Sequence, residues 1–155
     1  MIRIFAVLAA IVFATPAFSQ ALPAGLDKAN AIVIDTTKGR VIVKLRTDLA
    51  PQHAERIKQL ARDGYYNNVP FHRVIEGFMA QTGDPTGTGM GGSGTNLDAE
   101  FTDYEYRVGT VGMARSSNPN SGDSQFFICF DGCGHLTGQY TVWGQVERGM
   151  DTVEK

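Results

Sequence analysis

Ile32-Val33-Ile34 and Val41-Ile42-Val43-Lys44-Leu45 are β-branched runs separated by Thr36-Thr37-Lys38-Gly39, the pattern of a β-hairpin. Val41, Val43 and Leu45 alternate with Lys44 and Arg46, so one face of the second run is buried. The period then changes. Over Pro51 to Arg62, Ala54, Ile57, Leu60 and Ala61 form one apolar stripe, Pro51 suits a first turn and Gly64 a stop. This predicts a helix with His53 on its surface. Strand-like runs follow at Pro70 to Ile75, Phe78 to Thr82, Thr110 to Ala114, Gln125 to Phe130 and Tyr140 to Val146. Short strands, glycine turns and one amphipathic helix predict an antiparallel barrel rather than a βαβ protein.

One of these runs carries a misplaced charge. Arg73 stands in Phe71-His72-Arg73-Val74-Ile75, and Phe78, Met79 and Gln81 follow after a turn at Gly77. A guanidinium keeps its proton near neutrality, so it suits binding and polarising a neutral substrate rather than acid-base work. The plainer alternative is an arginine that snorkels from a strand edge.

Composition narrows the class. The 155 residues suffice for one domain, and 43% hydrophobic with 19% charged residues is globular. A formal charge of −2 gives no reason to expect nucleic acid or an anionic membrane as partner. Arg3, the apolar run Ile4 to Ala14 and the small residues of 15–21 have the layout of a secretory signal peptide. Cleavage after Ser19 or after Ala21 fits, and leaves a domain of residues 22–155 with no membrane anchor. The expected compartment is a bacterial periplasm, with secretion as the alternative.

Cys129 and Cys133 are the only cysteines. In an oxidising compartment a turn at Asp131-Gly132 brings them within disulfide range. A buried, inert Cys129 thiol inside Phe126-Phe127-Ile128 is the commoner outcome for such a run.

Other motifs dissolve on inspection. Gly87, Gly89 and Gly92 fit a dinucleotide fingerprint, but no apolar-periodic helix follows, so residues 83–94 read as a flexible surface loop. Ser124 lacks the following glycine of a nucleophile elbow. His53, His72 and His135 lack metal-ligand spacing, so no metal is expected.

Phe71-His72-Arg73-Val74-Ile75, Gly77-Phe78-Met79, Gln81 and Gly83-Asp84-Pro85-Thr86-Gly87-Thr88-Gly89 resemble the signature of cyclophilins, the peptidyl-prolyl cis-trans isomerases. Ser124-Gln125-Phe126-Phe127-Ile128 and Leu136 to Gly144 match the same family in the same order. The resemblance covers roughly residues 30 to 155. It implies a closed eight-stranded antiparallel barrel capped by helices, with a packed interior and an external groove. Arg73 would be the catalytic arginine and Gln81 its hydrogen-bonding companion. Phe78, Met79, Phe127 and Leu136 would hold the proline ring. His72, Ala114, Arg115, His135 and Tyr140 would complete the substrate contacts, Arg115 through its backbone. The implied partners are proline-containing unfolded or flexible polypeptides, met by a monomer that needs no cofactor.

The sequence departs from the family pattern in places. His135 replaces a groove tryptophan of many eukaryotic members, which implies weak cyclosporin binding. Tyr140 replaces a pocket histidine, and Arg115 a common asparagine. The sequence stops at Lys155 as the second helix begins, so the final strand is expected to be missing, in a truncated or open barrel. Two other classes compete with an isomerase: a holdase that binds peptide without turnover, and a small-ligand barrel. Bulky residues at alternating strand positions speak against a hollow barrel.

Overall fold

The computed structural model describes residues 22–155, so the signal-peptide expectation lies outside the described residues. Its seven strands are β1 (Ala31–Thr36), β2 (Gly39–Leu45), β3 (Arg73–Ile75), β4 (Met79–Thr82), β5 (Thr110–Met113), β6 (Phe126–Cys129) and β7 (Val142–Arg148). They form one antiparallel, curled half-barrel sheet in the order β1-β2-β7-β5-β6-β4-β3. Helices α1 (Pro51–Arg62) and α2 (Met150–Val153) accompany it, with 3-10 turns at Lys28–Asn30 and Gly134–Leu136. No helix among the described residues is long and apolar enough to cross a membrane.

Hydrophobic alternation gives the sheet two buried faces. Val41, Val43, Leu45, Val111, Met113, Phe126, Ile128 and Trp143 point inward onto Ala54 and Ile57 of α1. Trp143 is fully buried and meets Phe126 edge to face at 5.1 Å between ring centroids. The intervening residues of β6, Phe127 and Cys129, point to the other face, where Met79, Tyr106, Leu136 and Val142 form a second cluster. A groove lined by Met79, Phe127 and Leu136 lies over that cluster.

Helix α1 has the predicted bounds, but its stripe differs. His53 is buried at 1% exposure, while Ala61 is exposed. The reason is spacing: His53, Ile57 and Leu60 stand at i, i+4 and i+7 on one helical face. The ring's polarity is answered by Glu100 from a distant loop, 2.6 Å from Nδ1. Glu100 also accepts the backbone N–H groups of Gln52 and His53, supplying the cap that Ala50 cannot.

Two further expectations change. Cys129 and Cys133 form a disulfide across 6.1 Å between Cα atoms, which ties the end of β6 to the Gly134–Leu136 turn. The Asp131-Gly132 turn permits it, and with it the inert-thiol outcome is set aside. The glycine loop of residues 83–94 is pinned rather than free. Buried Asp84 accepts hydrogen bonds from Thr86 N, Thr86 Oγ1, Gly89 N and Gly91 N, all between 2.7 and 3.1 Å. Burial alone would raise its pKa, but the donors of Thr86, Gly91 and Gly89 outweigh that and hold the carboxyl far below the usual range.

Candidate active site

Strand register builds the site as a row. Arg73 on β3 faces Gln81 on β4, Gln81 faces Phe127 on β6, and Phe127 faces Gly112 on β5. Directly opposed residues share one face of a sheet, so a cation, an amide and an aromatic ring stand side by side. Gly112 makes room for the ring, because a Cβ there would overlap Phe127 and the Tyr106 hydroxyl. At Gly83, φ is +92° and a Cβ would overlap the Ser124 carbonyl, so the chain leaving β4 passes tightly against the residues that lead into β6.

The row opens onto a groove of about 420 Å³. It contains the expected Arg73, Phe78, Met79, Gln81, Ala114, Arg115, Phe127, His135, Leu136 and Tyr140, together with Gln139. Its floor is dry: Met79, Phe127 and Leu136 are at most 9% exposed. Phe127 is held by Tyr106, stacked at 5.8 Å, and by Tyr140, edge-on at 5.7 Å. Burial, with a smaller contribution from Tyr140, pushes the Tyr106 hydroxyl pKa well above its ordinary value. Tyr106 therefore remains a phenol and donates to the Tyr140 carbonyl at 3.0 Å. Phe78 and His135 pack against each other at 5.4 Å on the rim.

The polar side is an ordered relay. Arg73 Nη1 donates to Gln81 Oε1 at 3.3 Å, and Gln81 Nε2 donates to Gln125 Oε1 at 2.9 Å. Gln125 Nε2 donates in turn to the carbonyls of Gly89 and Gly91, at 3.0 and 2.8 Å. Each amide is thereby fixed in one orientation, and its oxygen points back toward Arg73. The sequence reading did not assign Gln125 a site role. Its signal was present, since residues i and i+2 of a strand share a face and Gln125 is two positions before Phe127.

His72 stands apart from this group. It precedes β3, outside the groove lining, and its two buried ring nitrogens have no partner among the described residues. Ser124 is fully buried and donates to the Gly83 carbonyl at 2.8 Å, so it ties β6 to the glycine loop. No group of three or more His, Cys, Asp or Glu among the described residues is arranged to hold a metal ion.

A groove with an apolar floor and arginines on two of its walls defines a binding protein for a largely apolar ligand with polar groups to be oriented. Comparisons with known proteins narrow this class. Residues 31–155 match the model of the cyclophilin type peptidyl-prolyl cis-trans isomerase/CLD family. A probable peptidyl-prolyl cis-trans isomerase of Brucella suis is 51% identical over 141 residues, covering 83% of this chain and 72% of its own length. Peptidyl-prolyl cis-trans isomerase-like 1 of Aspergillus fumigatus is 41% identical over 133 residues, covering 82% and 81%. Among solved structures, a cyclophilin-type isomerase of Cryptosporidium parvum, crystallised in the presence of the dipeptide Ala-Pro, superimposes with a TM-score of 0.76. That pair is 36% identical and spans 81% of this chain and 85% of the other. The chain belongs to the cyclophilin family of peptidyl-prolyl cis-trans isomerases, and it is an enzyme of that kind.

Proposed function

We propose that this chain speeds rotation about Xaa-Pro bonds in exported polypeptides, with Arg73 stabilising the twisted amide beside an apolar pocket of Phe78, Met79, Phe127 and Leu136. The observation that carries this reading is the row Arg73-Gln81-Phe127 across three paired strands. That the Cryptosporidium parvum relative was crystallised in the presence of the dipeptide Ala-Pro supports a proline-containing substrate.

The chemistry fits those residues. Partial double-bond character gives the peptide bond a barrier of about 18–20 kcal/mol. Twisting it localises a lone pair on the prolyl nitrogen, and a guanidinium aimed there stabilises the twisted state more than the planar one. Only such differential binding accelerates the step. A millionfold gain needs roughly 8 kcal/mol. One charge-assisted hydrogen bond contributes about 1.5–3 kcal/mol, so the remainder falls to the floor that grips the ring and to Gln81, which orients the carbonyl end. No bond to carbon is made or broken, and the scheme requires no cofactor.

Export is supported by the layout of residues 1–21 and by the Cys129–Cys133 disulfide, which suits an oxidising compartment such as the periplasm or the exterior. The same reading assigns an eighth strand to the gap between the edges of β1 and β3. A cleft of about 760 Å³ lies there, lined in part by Val41, Phe71, Val74 and Phe130. β1 and β3 are the two edge strands of the sheet, each paired on one side only among the described residues. The test is the isomerisation rate of a proline-containing peptide with and without the purified domain; a rate equal to the uncatalysed one would reject the reading.

A further inference from the structure

We propose that Arg115 makes this groove select prolines that carry an acidic residue on one side, an inference that rests on the isomerase reading above. Arg115 follows β5 on the groove wall away from β3 and is half-buried. Its guanidinium is fixed from three directions. Nε and Nη2 donate to the Gln139 carbonyl at 3.0 and 2.8 Å, and Nη1 donates to the Ser116 carbonyl at 2.9 Å. The ring centroids of Tyr140 and Phe101 lie 4.5 and 5.7 Å from its central carbon.

None of those partners carries a negative charge. Carbonyl oxygens and ring faces orient a cation without neutralising it. Of the five N–H donors of a guanidinium, three are used, so two remain. No residue lining the groove is acidic, and Arg73 on the opposite wall adds a second positive charge. Asp123 lines the adjoining depression, but its carboxylate already accepts from Ser93 Oγ and Gly94 N. Arg115 forms no ion pair among the described residues, in a chain whose overall formal charge is −2.

A peptide lying along the groove with its proline over Phe127 passes between Arg73 and Arg115. A carboxylate side chain next to the proline supplies the acceptor that the free donors of Arg115 lack, and the guanidinium is ordered before binding, so little entropy is lost. A lysine or arginine at the same place meets like charge. Because the site is open to water, the preference is modest and sensitive to salt.

The test uses peptide pairs that differ only as Glu or Gln, placed immediately before or immediately after the proline. Isomerisation is measured by exchange NMR and affinity by titration, at low and at high salt, for the natural chain and for Arg115→Gln. The expected result is a two- to fivefold advantage of Glu over Gln at one of the two positions, in affinity and in kcat/KM. That advantage shrinks toward one with added salt and in Arg115→Gln. Equal treatment of Glu and Gln at both positions overturns the inference, as does an advantage that Arg115→Gln keeps in full. Turnover and affinity separate the two claims: absence of turnover on every peptide rejects the isomerase reading, and the affinity ratio then decides the role of Arg115 by itself.

Discussion

Gln81 hands its side-chain N–H to Gln125 across 2.9 Å and keeps its oxygen for Arg73. An amide has a donor end and an acceptor end, so Gln125 determines which end of Gln81 the arginine meets. Gln125 is itself held by the carbonyls of Gly89 and Gly91, and their loop is wrapped around the buried carboxylate of Asp84. The glycine-rich segment thus reaches Arg73 through two amides.

Gln125→Leu keeps the volume and removes the relay. With Gln81 free to turn, we expect kcat/KM for a proline peptide to fall about five- to tenfold, corresponding to roughly 1–1.4 kcal/mol of transition-state stabilisation. An unchanged kcat/KM would show that Gln81 needs no such support. Thermal unfolding measured alongside distinguishes misorientation from loss of fold.

His53 gives the fold a pH dependence. Burial lowers its pKa and outweighs the Glu100 carboxylate, which raises it. The folded ring therefore resists protonation, while the unfolded ring takes up a proton near about pH 6.5. The contribution is fully present above that pH and is lost as pH falls toward the folded value. The unfolding free energy from urea titration should drop between pH 7.5 and 5.5, with a slope of at most about 1.4 kcal/mol per pH unit. His53→Gln should flatten that part of the profile. An equally steep decline in the variant would contradict the assignment.

The Cys129–Cys133 link closes a ring of only five residues, so chain entropy assigns it about 2 kcal/mol. It also anchors the turn that carries His135 and Leu136. Reduction, or Cys129→Ser with Cys133→Ser, should lower Tm by roughly 6 °C and raise KM for peptide more than it lowers kcat. Identical melting of the oxidised and reduced chain would remove the disulfide from the account of the groove.

Phe127→Ala removes the floor on which the proposed mechanism rests the proline ring, and leaves Tyr106 and Tyr140 without their shared partner. Loss of a buried ring costs about 3–5 kcal/mol. Affinity for a proline peptide should fall with turnover, at a temperature where the variant is still folded. Undiminished affinity by titration would place the ring elsewhere.

Much of this was legible along the chain where periodicity was strong. Helix α1 was bounded at Pro51 and Arg62 because a proline start, an apolar stripe and a glycine stop agreed. The hairpin of β1 and β2 was bounded by its turn chemistry. The groove residues followed from ordered motifs whose resemblance spans several strands. What was hidden depended on contacts distant in sequence. His53 read as surface because its partner, Glu100, lies 47 residues away. The 83–94 loop read as flexible because Asp84 and Gln125 act on it through hydrogen bonds that composition does not show. Gln125 stands out less in the sequence because it touches another amide rather than lining the groove.

By the proposed mechanism the Arg73 guanidinium stabilises the twisted prolyl amide. The most direct measurement is kcat/KM for cis-to-trans conversion of a proline peptide by Arg73→Ala, with the fold verified by thermal unfolding. A loss of tenfold or more, with the melting temperature little changed because Arg73 is exposed, is the predicted result. Near-normal turnover by that variant would contradict the mechanism.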